Sequence, residues 1–344
     1  MPLGDPAARI RRSIDGDQST ALLRSVRDHD LPPELRDLVR EYESVRDARS
    51  RFIWKWIHRL APKNTMPFVD DRHAAAVATD KTMLVLFITL LDDVVEKRGD
   101  YETFDAIGSL VRLGGIGAKS SVPGTSDADV DEAYAALAAR VWGRLGDRIR
   151  RGQRYDRYAP LYRFDLRQVL TAIEYSTLAI EQPELASASD LRRYETHNMG
   201  VCAFADIDLM HATVDLGGEF STFRNAVHAA QRMARIGNWL STWERELREG
   251  DTSSGIVVAA LDRGIIDPET LPELAGPDGD PDAAARAVER VKTHGLETEL
   301  LAEWNDQHRR LVDASKRIEA VDLGPFVDGT EDVLRHHLAS RGFK

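Results

Sequence analysis

The residues most suited to chemistry in this sequence are three polar side chains at four-residue spacing, Asn238, Thr242 and Glu246. A helix of about 3.6 residues per turn drifts only about 40° over four residues, so all three would share one stripe of one helix face. They offer an amide carbonyl, a hydroxyl and a carboxylate, which are hard oxygen donors of the kind that Mg²⁺ prefers. The spacing therefore predicts one half of a magnesium site.

A second group of acids, Asp92, Asp93 and Glu96, lies well upstream. Taken alone, such a motif is a solvated helix face about as often as a metal site. Here it follows an apolar run, residues 83–91, that has almost no polar face and so predicts a buried helix. Acids that end a buried helix face a cavity, and burying carboxylates without a cation costs several kcal/mol. We therefore expect the two groups to face each other across bound metal.

Helices must position both groups, because helical periodicity dominates the chain and strand alternation is nowhere sustained. We predict an all-α protein with one domain over residues 20–344 and a flexible N-terminal segment over 1–19. Two Gly-, Pro-, Ser- and Asp-rich breaks, at 114–131 and 266–282, read as surface loops. The predicted helices span residues 20–30, 33–60, 72–97, 101–112, 130–150, 158–181, 187–214, 221–249, 252–263, 281–292, 296–319 and 328–340.

These motifs together resemble those of the bacterial-type class I terpene synthases, or terpene cyclases. That family carries DDxxD or DDxxE on one helix and (N/D)xxx(S/T)xxxE on a later one, followed by a short acidic-glycine segment. Residues 238–251 match the second pattern over fourteen positions. The resemblance implies a helical bundle around a central active-site cavity. It also implies a cluster of three Mg²⁺ ions, held by Asp92, Asp93, Glu96, Asn238, Thr242 and Glu246.

The resemblance further implies contacts to a diphosphate. Arg245 stands where the family usually has a lysine or arginine that touches this group, and residues 183–193 resemble the segment with the diphosphate-sensing arginine. We place the sensor at Arg192, with Arg193 as the other register. On the same registration, Glu195 would be the linker that relays diphosphate binding, and Thr196 would be the effector residue at the helix break.

The chain departs from the family pattern in three places. Trp239 stands where the family commonly has aspartate, although that position is not a ligand in the triad. Residues 194–200 are not the usual short run to glycine. The family's C-terminal Arg-Tyr pair is absent, and Arg335 or Arg341 is the nearest cation that could replace it.

The implied activity is ionisation of a linear prenyl diphosphate, geranylgeranyl or farnesyl diphosphate, and cyclisation of the carbocation to a terpene hydrocarbon or alcohol. A bicyclic diphosphate is an alternative substrate. A carbocation is stabilised by aromatic ring faces, by about 2 kcal/mol or more when water is excluded, so the cavity should be apolar and aromatic. An aromatic residue of this kind belongs to the ordinary hydrophobic core roughly twice as often as to a cavity wall. The candidates for the cavity wall are Phe87, Phe204, Trp239, Trp304 and Tyr194.

Composition excludes several other classes of protein. The net charge of −11 and the absence of a basic cluster argue against nucleic acid or an anionic membrane as a partner. The single cysteine, Cys202, cannot form an internal disulfide. Residues 1–17 lack the apolar core of a signal peptide, and the apolar run ending at Leu91 is too short to span a bilayer. We expect a cytoplasmic protein without stable membrane insertion, and a homodimer is left open.

Three other functions compete with this interpretation. A trans-prenyl diphosphate synthase also binds its substrate through magnesium ions, but it would carry a second aspartate-rich motif where this chain has Asn238, Thr242 and Glu246. A head-to-head synthase would show DxxxD-type pairs on both helices, and the second pair is missing. A non-catalytic helical scaffold is the alternative from another class of protein, and magnesium-dependent release of diphosphate would exclude it.

Overall fold

The computed structural model describes residues 5–45, 48–112, 130–274 and 279–343. Within these ranges the chain is helical, and its one β-type contact is an isolated bridge between Val69 and Ala212. The prediction of an all-α fold is confirmed. The α-helices of the described ranges are α1 (Pro6–Ser13), α2 (Gly16–Arg27), α3 (Pro33–Tyr42), α4 (Arg51–Leu60), α5 (Asp71–Glu96), α6 (Tyr101–Arg112), α7 (Glu132–Ile149), α8 (Tyr155–Glu181), α9 (Ala188–Arg193), α10 (Val201–Met210), α11 (Phe220–Glu249), α12 (Gly255–Asp262), α13 (Leu271–Leu274), α14 (Pro281–Thr293), α15 (Leu296–Ser315) and α16 (Gly324–Ala339).

Helices α5 and α11 carry the two predicted motifs and lie inside the bundle. Helix α5 starts where the Asp70 carboxylate accepts a hydrogen bond from the Arg72 amide at 3.0 Å, and it is buried on nearly all sides from Val77 to Val95. Helix α11 packs against α10, α15 and α16. One hydrophobic core reaches from Ala7 to Leu334 and fixes both helices.

Helix α5 is longer than its apolar run and, by length and composition alone, could cross a membrane. Most of its apolar window is buried against neighbouring helices instead. It also carries a fully buried charge, because the Lys81 ammonium lies 2.7 Å from a carboxylate oxygen of Asp208 on α10. Core helices pass the same test, and this helix has the burial of a core helix.

Within the segment 1–19, which the sequence predicts to be flexible, residues 6–13 form α1 and α2 begins at Gly16. Asp5 caps α1, its carboxylate accepting from the Ala8 amide at 2.9 Å, and Pro6 occupies the first helical turn. Ala7 and Ile10 are buried, and the Ala7 amide donates to Asn305 of α15 at 3.0 Å. The two apolar side chains anchor the helix although they are too few to give a clear periodic pattern.

Two of the predicted helices are interrupted. The span 33–60 divides into α3 and α4, and Ser50 caps the second by accepting from the Phe52 amide at 3.3 Å. The span 187–214 divides into α9, a 3-10 segment Glu195–Met199 and α10. Gly200 breaks the last two with φ of 64°, a conformation that favours glycine.

The structure describes most of one predicted loop and little of the other. The predicted loop over 114–131 lies outside the described residues except for positions 130 and 131. The predicted loop over 266–282 contains a 3-10 turn, Pro268–Thr270, and the four-residue helix α13.

Candidate active site

Two of the three carboxylates at the end of α5, those of Asp92 and Asp93, are already held by protein groups. Asp93 accepts from the Tyr42 hydroxyl at 2.6 Å and from the Arg49 guanidinium at 2.8 Å, and the Lys97 ammonium lies 3.1 Å away. Burial alone would raise the pKa of Asp93, but Arg49 and Lys97 outweigh it and hold the pKa below its ordinary value. Asp93 is therefore an ionised residue turned towards α3, where it can support the site from the side.

Asp92 has different hydrogen-bond partners from Asp93. Arg49 donates to one of its oxygens at 2.7 Å, and the side-chain amide of Asn198 donates to the other at 3.1 Å. Asn198 belongs to the 3-10 segment between α9 and α10. Asp92 thus links α5 to the broken helix where the resemblance places the diphosphate-responsive residues.

The polar stripe on α11 has the geometry predicted from its spacing. The Thr242 hydroxyl donates to the Asn238 carbonyl oxygen at 2.8 Å, and the Asn238 side-chain oxygen accepts from Arg235 at 2.9 Å. Glu246 follows one turn later, with its side chain 14% exposed. The amide oxygen, the hydroxyl and the carboxylate therefore follow one another along the same face of α11.

The end of α11 adds a further carboxylate. Gly250, with φ of 89°, closes the helix so that the Asp251 amide donates to the Glu246 carbonyl at 2.9 Å and the Gly250 amide to the Leu247 carbonyl at 3.4 Å. This is a Schellman ending, which turns the chain back over the last helical turn. It brings Asp251 close enough for its charge to act on both Glu246 and Glu96.

Arg235 is a cation inside this acidic cluster. Its guanidinium donates to the buried carboxylate of Glu195 and to Asn238, and it lies 5.4 Å from the centre of the Trp239 ring. Burial lowers the pKa of Arg235, whereas the negative charges of Glu246, Asp92, Asp251 and Glu96 act in the opposite direction. Since these acids come from both α5 and the α11 end, the structure brings the two predicted halves of the site into one electrostatic cluster.

Two carboxylates of the cluster are not adequately compensated by protein cations. Burial, followed by the charges of Asp92 and Asp251, raises the pKa of Glu96 well above its ordinary value. Burial and Asp251 likewise raise the pKa of Glu246 to about 7, although Arg235 and Arg245 oppose this. A divalent cation would relieve both penalties, and the oxygen donors present suit Mg²⁺.

The side chains fit such an ion chemically but do not yet enclose it. Among the described residues, no three acidic, histidine or cysteine side chains converge as a ready-made metal site. Arg49 and Arg235 lie among the acids where bound metal would supply the compensating charge. Metal binding would therefore require these acids to move together, as in an active site that closes on its ligand.

The arginines assigned from the resemblance lie at the edge of this cluster or away from it. Arg192 donates to Glu303 of α15 at 3.0 Å and to the Ala188 carbonyl at 3.1 Å, and its side chain is 45% exposed. The guanidinium of Arg193 lies 5.3 Å from the Tyr194 ring centre. Arg245 is nearer, 3.6 Å from Glu246, and also pairs with Glu249. The assignment of Arg192 as the sensor stays a prediction that would need α9 to reorient.

The linker and effector candidates lie between α9 and α10. Glu195 is fully buried, pairs with Arg235 and accepts from Ser176 at 3.4 Å. Thr196 is also buried, and its hydroxyl donates to the Arg192 carbonyl at 3.4 Å. Glu195 therefore connects the broken helix to α11 directly, whereas the break itself is at Gly200.

The two C-terminal cations are engaged elsewhere. Arg335 pairs with Asp332, one turn earlier on α16. Arg341 pairs with Glu244 of α11 and Glu297 of α15. Glu244 is two residues before Glu246, so Arg341 lies beside the outer face of the same helical turn.

The five aromatic candidates lie in different places. Phe87 packs on Trp142 at 4.8 Å between ring centres, Trp304 stacks on His308 at 5.2 Å, and Tyr194 contacts Tyr175 at 5.7 Å. One candidate, Trp239, adjoins the polar cluster directly, with its ring centre 5.4 Å from the Arg235 guanidinium. Phe204 lies on α10, four residues after Gly200.

The apolar wall next to the acids is formed where α5 meets the helix break. A Cβ atom at Gly200 would lie 3.1 Å from Cδ1 of Ile88 and 4.0 Å from the Phe204 ring. Ile88 is one helical turn before Asp92, and Gly200 is two residues after Asn198. Ile88 and Phe204 therefore approach each other around Gly200, in the same region as the contact between Asp92 and Asn198.

Four functional candidates were missed by the sequence analysis: Arg235, Asn198, Arg49 and Tyr42. Arg235 carried a local signal, because it lies three residues before Asn238 and so shares its helix face. The other three reach Asp92 or Asp93 from distant segments without regular spacing. Nothing in their local sequence indicates that contact.

The raised pKa of Glu246 predicts how stability depends on pH without metal. Because its carboxylate has a pKa of about 7 in the folded protein, against 4.5 as its ordinary value, the folded state loses stability as pH rises from about 5 to 8. The loss is about 3 kcal/mol at most. Thermal unfolding in EDTA should therefore show a smaller decline for Glu246→Gln than for the parent protein, and equal declines would contradict this.

Comparison with solved structures finds a similar fold. The chain is similar to the crystal structure of polyprenyl synthetase from Streptomyces coelicolor A3(2), with a TM-score of 0.52 and 15% sequence identity over 94% of this chain and 95% of that chain. No protein-family model and no curated protein matches the sequence. At this identity the similarity shows that the two chains share a helical fold.

Proposed function

We propose that this protein is a magnesium-dependent class I terpene synthase, which ionises a linear prenyl diphosphate and cyclises the resulting carbocation. One observation carries the proposal. The acids of α5 and the polar stripe of α11 meet in one buried cluster with raised carboxylate pKa values, within a helical fold shared with a polyprenyl synthetase. Such a cluster calls for bound cations, and a diphosphate is the natural bridging ligand for them.

The side chains have separable tasks in this proposal. Asp92, Glu96, Asn238, Thr242 and Glu246 would hold Mg²⁺, while Asp93 stays fixed by Tyr42, Arg49 and Lys97. When bound, the metal supplies positive charge that stabilises a departing diphosphate. Arg235 offers a planar fork of donors at the same place, which suits phosphate oxygens.

The apolar wall has a separate task, which is to keep the cation from water. Ile88 lies one helical turn before Asp92, and Ile88 and Phe204 both approach Gly200, two residues after Asn198. A prenyl chain whose diphosphate meets the acids would thus place its reacting end against these side chains. Water excluded there cannot trap the cation early.

The polyprenyl synthetase neighbour favours one other activity, chain elongation. The test is to incubate the protein with C10, C15 and C20 prenyl diphosphates, with Mg²⁺ or EDTA, and with or without a five-carbon homoallylic diphosphate. We expect magnesium-dependent diphosphate release and cyclic products from the C15 or C20 substrate alone. If longer prenyl diphosphates form, and only when the five-carbon diphosphate is present, the activity is chain elongation and not cyclisation. If no diphosphate is released under any condition, the result supports a non-catalytic helical scaffold.

Changing the apolar wall should alter the products more than the rate. Phe204→Leu removes an aromatic face worth about 2 kcal/mol to a nearby cation, enough to shift product ratios by about thirtyfold. Diphosphate release should change by less than about threefold, because Phe204 does not contact the acids. Gas chromatography and a diphosphate assay on the same samples measure both effects.

Phe223→Leu is the matched control for this experiment. Phe223 is also a buried phenylalanine, but it packs on Phe68 and Phe220, with ring centres 5.7 and 6.3 Å away. It should lower stability without altering the product ratio. An unchanged product mixture in Phe204→Leu would remove Phe204 from the cavity wall.

A further inference from the structure

A cavity lies between α11 and α15, apart from the acidic cluster. It has a volume of about 830 Å³, within the range of small-molecule sites. On α11 the lining positions 225, 228, 229 and 232 recur at helical spacing, and on α15 the positions 307, 310 and 314 do the same. His197, from the 3-10 segment before α10, forms part of the lining.

The charges around this cavity are predominantly positive. Arg232, Arg310 and Arg317 line it, and none of the three has a carboxylate within 4.0 Å among the described residues. Arg317 donates to the Asp313 main-chain carbonyl at 3.2 Å. The single acid of the lining, Asp313, lies 3.5 Å from Lys316. Three guanidiniums thus face one partly neutralised carboxylate in a protein whose net charge is −11.

Polar groups inside the cavity add to this pattern. Gln307 is 6% exposed, and its side-chain oxygen has no hydrogen-bond partner although it is buried. An amide can present either its oxygen or its NH₂ group to a ligand. Burial, then the charge of Arg224, lowers the pKa of His228 to about 4, although Asp165 opposes this. The cavity therefore combines three exposed guanidinium groups with a buried amide oxygen that has no hydrogen-bond partner.

We propose that the cavity between α11 and α15 binds a small molecule that carries phosphate groups. Guanidinium forks match phosphate oxygens, and a concave site with one sign of charge concentrates the opposite ion. Gln307 would contact the phosphate through its NH₂ group, or a hydroxyl of the ligand through its oxygen. The site needs no metal, in contrast to the acidic cluster, where anions are repelled until cations bind.

The test is calorimetric titration with inorganic diphosphate in EDTA. We expect saturable binding to the parent protein that weakens about tenfold in Arg310→Gln and Arg232→Gln and about a hundredfold in the double variant. Raised salt should weaken binding as well. Arg309→Gln is the matched control, because Arg309 is adjacent on α15 but pairs with Asp306 and does not line the cavity. Arg49→Gln should bind normally, since Arg49 belongs to the other site.

Three outcomes of the diphosphate titrations would overturn the proposal. They are no binding to the parent protein, equal binding by the Arg232→Gln/Arg310→Gln variant, and an equal loss in Arg309→Gln. Citrate distinguishes phosphate from carboxylate ligands, and binding of citrate as tight as that of diphosphate would contradict the assigned ligand class. The substituted arginines are exposed, and matching melting temperatures would establish that the variants remain folded. The outcome is independent of the terpene synthase proposal.

Discussion

Replacing Glu246 with glutamine is expected to lower turnover about a thousandfold while the helical fold survives. The substitution keeps the size of the side chain but removes the negative charge that would hold Mg²⁺. Loss of several kcal/mol of metal-based stabilisation corresponds to that factor, at about 1.4 kcal/mol per tenfold. Steady-state release of diphosphate, measured across a range of Mg²⁺ concentrations, tests the prediction.

The same experiment distinguishes a lost ligand from a damaged fold. Glu246→Gln should be at least as stable as the parent protein in EDTA at pH 8, because it removes a carboxylate whose pKa is raised to about 7. Glu249→Gln is the matched control, since Glu249 is exposed and one turn further along α11. Turnover close to that of the parent protein in Glu246→Gln, at ordinary magnesium, would exclude the α11 stripe as a metal site.

The α11 stripe was predictable because it depends only on local geometry. Asn238, Thr242 and Glu246 share a face in any regular helix, whatever surrounds it. The ends of α11 were also close to prediction, 221–249 against Phe220–Glu249, because Gly250 gives a strong stop signal. Local patterns therefore predicted the element and the direction of its polar face.

The partners of these residues could not be predicted in the same way. Tyr42 and Arg49 reach Asp93 across more than forty residues, from a part of the chain where the sequence predicted one continuous helix. The direction of Arg192 depends on how α9 packs against α15, where Glu303 accepts its hydrogen bonds. Such contacts follow from tertiary packing, which has no period in the sequence.

Arg235 should matter for both stability and chemistry, and Arg235→Gln is expected to be the most destabilising change at this site. It would leave the Glu195 carboxylate fully buried without its cation, and breaking a buried pair from one side costs about 3–5 kcal/mol. Chemical denaturation measures this cost. The double variant Glu195→Gln/Arg235→Gln should recover much of the stability, because two amides can hydrogen-bond without charge.

Turnover in the double variant then reveals what Arg235 does. If Arg235 contacts diphosphate, the double variant stays slow although it is stable, since the guanidinium fork at position 235 is gone. Arg235→Lys should also release diphosphate slowly, because an ammonium cannot form two parallel hydrogen bonds. Restoration of normal turnover together with stability would reduce Arg235 to a structural partner of Glu195.

Lysine substitutions at the other arginines compare Arg235 with the sensor predicted from the resemblance. Slow diphosphate release in Arg192→Lys, with normal release in Arg193→Lys, would support Arg192 and require α9 to turn away from Glu303 when the substrate binds. The opposite result would assign the role to Arg193. Normal release in both, with slow release in Arg235→Lys, would assign diphosphate recognition to Arg235, which already lies among the acids of both helices.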